Sequence, residues 1–185
     1  MNYNNNSELS NKCITIANYI IYKVNDYNKN KSFKNQIILY SKKLQLLLFF
    51  RDVEHMLVYN GVPLFPDNYY TGFSVPTLPN FYRVFMQYQD GDMIPVILDG
   101  ENVYNITNSE LVIIDEVINK IGNIGFPTLK KNISDREPWY TSFCRYLNDE
   151  EIVPKQTIYN YYLNHERLID YFNQDEKRKI LKINI

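Results

Sequence analysis

Apolar residues recur at spacings of three and four along much of this chain, and in one stretch the polar gaps all but disappear. From Leu44 to Phe50, Leu-Gln-Leu-Leu-Leu-Phe-Phe, apolar side chains run nearly all the way round a helix, where a surface helix would keep one polar face. The pattern predicts a central buried helix over about 41–59. Ser41 offers a hydroxyl to the free N–H groups of its first turn, and Val53, Met56, Leu57 and Val58 continue the apolar surface. Asn60-Gly61 supplies a left-handed stop with Pro63 beyond. The expected fold is mainly α (α+β), a single-domain helical bundle packed around this rod.

The remaining segments order themselves around it. Ser10 caps a helix in which Cys13, Ile16, Ala17, Ile20, Ile21, Val24 and Tyr27 share one face. Phe33 to Tyr40 reads either as a short helix or as an extended entry into the rod. Val62 to Asp67, with two prolines, is a loop leading to an extended piece at Tyr69–Phe73. Thr77 and Pro79 read as the cap and first-turn proline of a helix carrying Leu78, Phe81, Tyr82, Phe85 and Met86. Asp99-Gly100 between two alternating runs predicts one short β-hairpin over about 93–106, with Pro95 on an edge. Thr107-Asn108-Ser109-Glu110 is a capping box ahead of Leu111, Ile114, Val117, Ile118 and Ile121, and Gly122 ends that helix. Pro127–Asn132 accommodates one short helix, and Ser134 or Asp135 caps another with Pro138 in its first turn and Trp139, Phe143 and Tyr146 on its apolar side. Pro154 opens the last element, where Ile158, Tyr161, Tyr162, Leu168, Ile169 and Phe172 keep helical spacing. Residues 1–9 are expected to be a disordered leader, 10–173 the domain, and 174–185 a charged tail.

Composition narrows the partners more than the fold. The 185 residues suffice for one core, and a net charge of −1 gives no global attraction to nucleic acid or to an anionic membrane, so a protein or small-molecule partner is favoured. Cys13 and Cys144 lack the paired spacing of a zinc or redox site. No run reaches the roughly 18 apolar residues of a membrane span, and the first residues do not form a basic region followed by an apolar one, so the expected location is cytoplasmic.

Catalytic chemistry finds no constellation in the sequence. His55 and His165 stand apart from any cluster at ligand spacing, and no nucleophile elbow, P-loop or dinucleotide fingerprint is present. Asp149-Glu150-Glu151 suits the start of a helix better than a metal or acid–base site. The expectation is therefore no catalytic residue, no cofactor and no metal. Lys42-Lys43, Lys130-Lys131 and Lys177-Arg178-Lys179 are basic pairs and runs that nucleic acid could use, and 17 tyrosines could stack on bases; equally, tyrosines suit half-buried positions and protein contacts.

The order of four stretches resembles a known family. Lys43-Leu44-Gln45-Leu46-Leu47-Leu48-Phe49-Phe50, then Gly61-Val62-Pro63-Leu64-Phe65, then Val75-Pro76-Thr77-Leu78-Pro79-Asn80-Phe81-Tyr82, then Glu137-Pro138-Trp139, resemble the Panacea domain, the SocA-like antitoxin domain of the phage-associated protein family. The likeness runs from about Cys13 to Tyr162. This chain departs from the family pattern at Leu46 (a lysine there), Val75 (a glycine, so a negative φ is implied) and Ser134 (a histidine). The resemblance implies a non-enzymatic antitoxin that neutralises a cognate toxin protein by direct binding, either alone or by handing it to a protease as one relative does. The competing class is a nucleic-acid-binding regulator or another phage-associated interaction protein. Motif residues Lys43, Leu44, Gln45, Leu47, Leu48, Phe49, Phe50, Pro76, Pro79, Tyr82, Pro138 and Trp139 are expected to be structural. Tyr69, Tyr70 and Phe73, held between prolines, are the expected partner-binding residues.

Overall fold

The computed structural model describes residues 9–70, 75–78, 81–85, 106–134, 139 and 152–164, and within 81–85 the side chains of 82 and 83 are excepted. The elements are α1 (Asn11–Asn28), a 3-10 turn (Phe33–Asn35), α2 (Ser41–Val58), β1 (Tyr69–Tyr70), α3 (Phe81–Phe85), α4 (Asn108–Ile121), α5 (Phe126–Ser134), β2 (Ile152–Val153) and α6 (Lys155–Leu163). Among the described residues the fold is mainly helical with one small antiparallel ladder, and α2 packs against α1, α3, α4, α5 and α6.

Local signals in the sequence account for most helix ends. The Ser10 hydroxyl accepts from the Cys13 N–H at 3.1 Å and so caps α1. Thr107 and Glu110 form the expected capping box, with the Thr107 N–H donating to the Glu110 carboxylate at 2.7 Å. Asn60 at φ 51° and Gly61 at φ 90° turn the chain away from α2. At Gly61 the reason is spatial as well, because a Cβ there would lie 3.3 Å from ring carbons of Tyr159 on α6.

Other ends differ from expectation. The cap position of α2 is the extended Tyr40, whose side chain does not cap the helix, so Ser41 already belongs to the first turn and is buried. Thr77 does not cap α3, which begins at Phe81; its backbone instead exchanges two hydrogen bonds with Tyr70 (2.9 and 3.1 Å). The ambiguous segment before α2 resolves into the 3-10 turn followed by extended chain, held where Asn28 bonds both the N–H and the carbonyl of Ile37 (2.8 and 2.9 Å). Leu9, assigned to the leader, is buried in the core. The hairpin expected over about 93–106 lies outside the described residues but for Ile106. The ladder that is present pairs Tyr69 with Val153 and Tyr70 with Ile152, segments remote in sequence.

Polar contacts set the helix directions. Along α1 and α4, Lys12 meets Glu110, Tyr19 and Lys23 meet Asp115, and Tyr27 meets Asn123, at 2.9 to 3.3 Å, so these two helices run parallel. Helix α2 packs against both and runs in the opposite direction. Its start lies beside Gly122 and its middle beside Asp115 and Tyr19, as Lys43 and Arg51 show.

Candidate functional site

Helix α2 is buried on every side, as its apolar run requires, yet the buried set includes Lys43, Gln45, Arg51, Asp52, Glu54 and His55 beside Leu44, Leu46, Leu47, Leu48, Phe49, Phe50, Val53 and Met56. A buried polar group is tolerable when something bonds it. Most of these side chains hold backbone groups of other segments. Lys43 Nζ donates to the Gly122 carbonyl (2.7 Å), Gln45 accepts from the Leu78 N–H (3.0 Å), Asp52 accepts from the Leu64 N–H (2.8 Å), and His55 Nδ1 donates to the Val62 carbonyl (2.9 Å). Each fastens a connection to the rod.

The densest part of this network lies under the loop between α2 and β1. Lys155, the first residue of α6, reaches Asp52 Oδ2 at 2.8 Å, donates to the Phe65 carbonyl and lies over the rings of Phe65 (4.3 Å) and Tyr69 (5.4 Å). Ser10 closes the other side: its N–H donates to Asp67 at 2.9 Å, and its hydroxyl donates to the second Asp67 oxygen. Burial raises the Asp52 carboxyl above its ordinary range, opposed by Lys155; burial likewise raises the Cys13 thiol, with Asp67 and Asp52 adding to it. The Tyr69 phenol rises for the same first reason, with the Asp52 charge next. With both carboxylate oxygens and the ammonium engaged, this cluster is built as a clamp on the 61–70 loop.

The structure separates the three proposed contact residues. In an extended strand successive side chains point to opposite faces. Tyr69 therefore turns inward with its partner Val153 and is fully buried, which corrects its assignment to a partner surface. Tyr70 and its partner Ile152 turn outward; Tyr70 is half-buried and Ile152 is 47 % exposed. Phe73 lies outside the described residues, as do Pro79, Pro138, Cys144, His165, the 149–151 acidic run and the 177–179 basic run; of Tyr82 only the backbone is described.

The motif residues that can be placed converge. The Phe49 ring meets Tyr69 (5.4 Å), Trp139 (5.3 Å) and Tyr162 (6.1 Å), all edge to face, while Pro76 is buried and Leu78 bonds Gln45. Sequence reasoning missed the structural work of Asp52 and Lys155 and the burial of Arg51; the available signal was a charged pair, Arg51-Asp52, inside an otherwise apolar helix. Among the described residues no three His, Cys, Asp or Glu side chains gather as a metal site would need, and no helix is long and apolar enough to cross a membrane. Comparison with protein-family models, curated proteins and solved structures returned no match.

Proposed function

We propose that this chain is a non-enzymatic binding protein of the antitoxin type, a divergent relative of the Panacea domain, which neutralises a toxin protein by direct contact. One observation carries the reading: the separate stretches on which the resemblance rests meet around Phe49 and the polar edge of α2, as parts of a shared core would. Lys43, Gln45 and Asp52 are engaged there in holding backbone, which leaves partner recognition to the surface. On that surface lies the outward Tyr70–Ile152 pair, into which the clamped loop leads. It offers an aromatic and a branched aliphatic side chain already fixed in place, so little ordering is lost on binding.

The test begins with the genes flanking this one. A neighbouring product that arrests growth when expressed alone, and whose effect is relieved by co-expression of this chain, supports the reading. Relief should fall with Tyr70→Ala or Ile152→Ala while thermal stability stays nearly unchanged. Toxin that persists at constant level during relief indicates occlusion; toxin that disappears indicates delivery to a protease. Neighbours without toxicity, or toxicity that this chain leaves untouched, reject the proposal.

A further inference from the structure

The net charge of −1 is unevenly distributed. At one pole the end of α1, the link to α2, the start of α2, the end of α4 and the start of α5 come together. Asn28 binds Ile37, Lys43 reaches Gly122, Asn123 donates to the Tyr27 hydroxyl (3.2 Å), and the Tyr40 and Phe126 rings meet at 5.8 Å. The link that caps this pole is exposed from Lys29 to Asn35 and carries Lys29, Lys31 and Lys34; Lys130 and Lys131 follow one turn into α5. Among the described residues nearby, Asp26 is paired with Lys29 and Glu116 with Lys120. At the tip of the 3-10 turn Phe33 is 76 % exposed, the most exposed large apolar side chain among the described residues, with Asn30 and Asn35 exposed beside it.

We propose that this pole is a binding surface for single-stranded nucleic acid, with the lysines on phosphates and Phe33 stacked on a base. The proposal is independent of the antitoxin reading. Three features favour a nucleic strand. The cations are all lysines, compact and strongly hydrated charges that suit phosphate and are depleted from protein–protein interfaces. An exposed aromatic ring amid lysines is the stacking platform that a sequence-tolerant strand binder needs. The amides of Asn30 and Asn35 would lose water without compensation if Phe33 entered a lipid layer, whereas base edges offer them both donors and acceptors.

Fluorescence anisotropy with a labelled 20-nucleotide single strand tests this on the full chain. About four phosphate contacts at a slope near −0.7 each predict affinity falling roughly 50-fold between 50 and 200 mM salt. Lys31→Glu with Lys34→Glu should weaken binding at least about 10-fold and flatten the salt slope. Phe33→Ala should weaken it about 10-fold with the slope unchanged, as loss of stacking alone requires. Both variants alter exposed side chains, so unchanged thermal melting confirms that folding is not the cause. Absence of binding at 50 mM salt, binding indifferent to these substitutions, or Phe33-dependent binding only to vesicles containing phosphatidylserine overturns the proposal.

Discussion

Lys43 takes its ammonium group into the interior, where burial pushes its pKa down to about 8 although the Gly122 carbonyl accepts from it. Between about pH 8 and the ordinary 10.5, the unfolded chain keeps a proton at this lysine that the folded chain has released. Stability contributed by Lys43 therefore rises with pH across that window and is flat below it. Urea titrations of the native chain and Lys43→Met should diverge from about pH 8 upward, the native chain gaining relative to the variant by up to about 3 kcal/mol. Parallel curves would show that the ammonium finds solvent. Arg51 is the harsher case. It is fully buried, none of its three nitrogens has a hydrogen-bond partner among the described residues, and burial holds its pKa well below the usual value against the opposing fields of Asp115 and Glu54. A methionine of similar length removes the stranded donors and keeps the packing. Arg51→Met should raise stability at pH 7 by about 1–4 kcal/mol, read from the urea midpoint; a loss would mean that the guanidinium is compensated through water.

At the scale of elements, the capping box of α4 joins local sequence to tertiary contact, because Glu110 also meets Lys12 of α1 at 2.9 Å. Burial alone would raise the Glu110 pKa, but hydrogen bonds from the Thr107 N–H and hydroxyl and from Lys12 outweigh it and hold it below 4.5. The associated stability is present above about pH 4.5 and is lost as pH falls through the depressed value. Thr107→Ala should cost about 1 kcal/mol at pH 7 and reduce the loss of stability on acidification, as followed by circular dichroism. Such caps were legible in the sequence because every participant lies within four residues. The stop at Asn60-Gly61 and the buried apolar faces of α1 and α4 were legible for the same reason. The pairing of Tyr69 with Val153 was not: two-residue strands carry no periodicity, and their partners are more than eighty positions apart. That pairing alone decides that Tyr69 is core and Tyr70 is surface. Nor could an apolar run disclose which of its charged residues would be buried, since Asp52 is satisfied by Leu64 and Lys155, whereas Arg51 has no hydrogen-bond partner among the described residues.

At the scale of the whole molecule, the Asp52–Lys155 pair joins α2, the 61–70 loop and α6, and the loop leads directly into the ladder that presents Tyr70. Asp52 is fully buried and the Lys155 side chain is 11 % exposed, so the carboxylate has no water to fall back on and the ammonium little. Removing one partner strands the other. Lys155→Met should cost about 3–5 kcal/mol, because the buried Asp52 carboxylate loses its counter-charge while the Leu64 N–H, a neutral donor, remains. Asp52→Asn should cost less, since Lys155 still donates to the Phe65 carbonyl and rests on two aromatic rings. The double variant should be less destabilised than the sum of the two, by about 0.5–3 kcal/mol, in a cycle read by urea denaturation. Strict additivity would show that the charges do not sense each other. The consequence reaches the proposed contact surface: with the clamp released, limited proteolysis should cut within 61–68 in Lys155→Met before any site in α1 or α4. Toxin relief should then fall in proportion to that opening, even though Lys155 is not part of the outward Tyr70–Ile152 face.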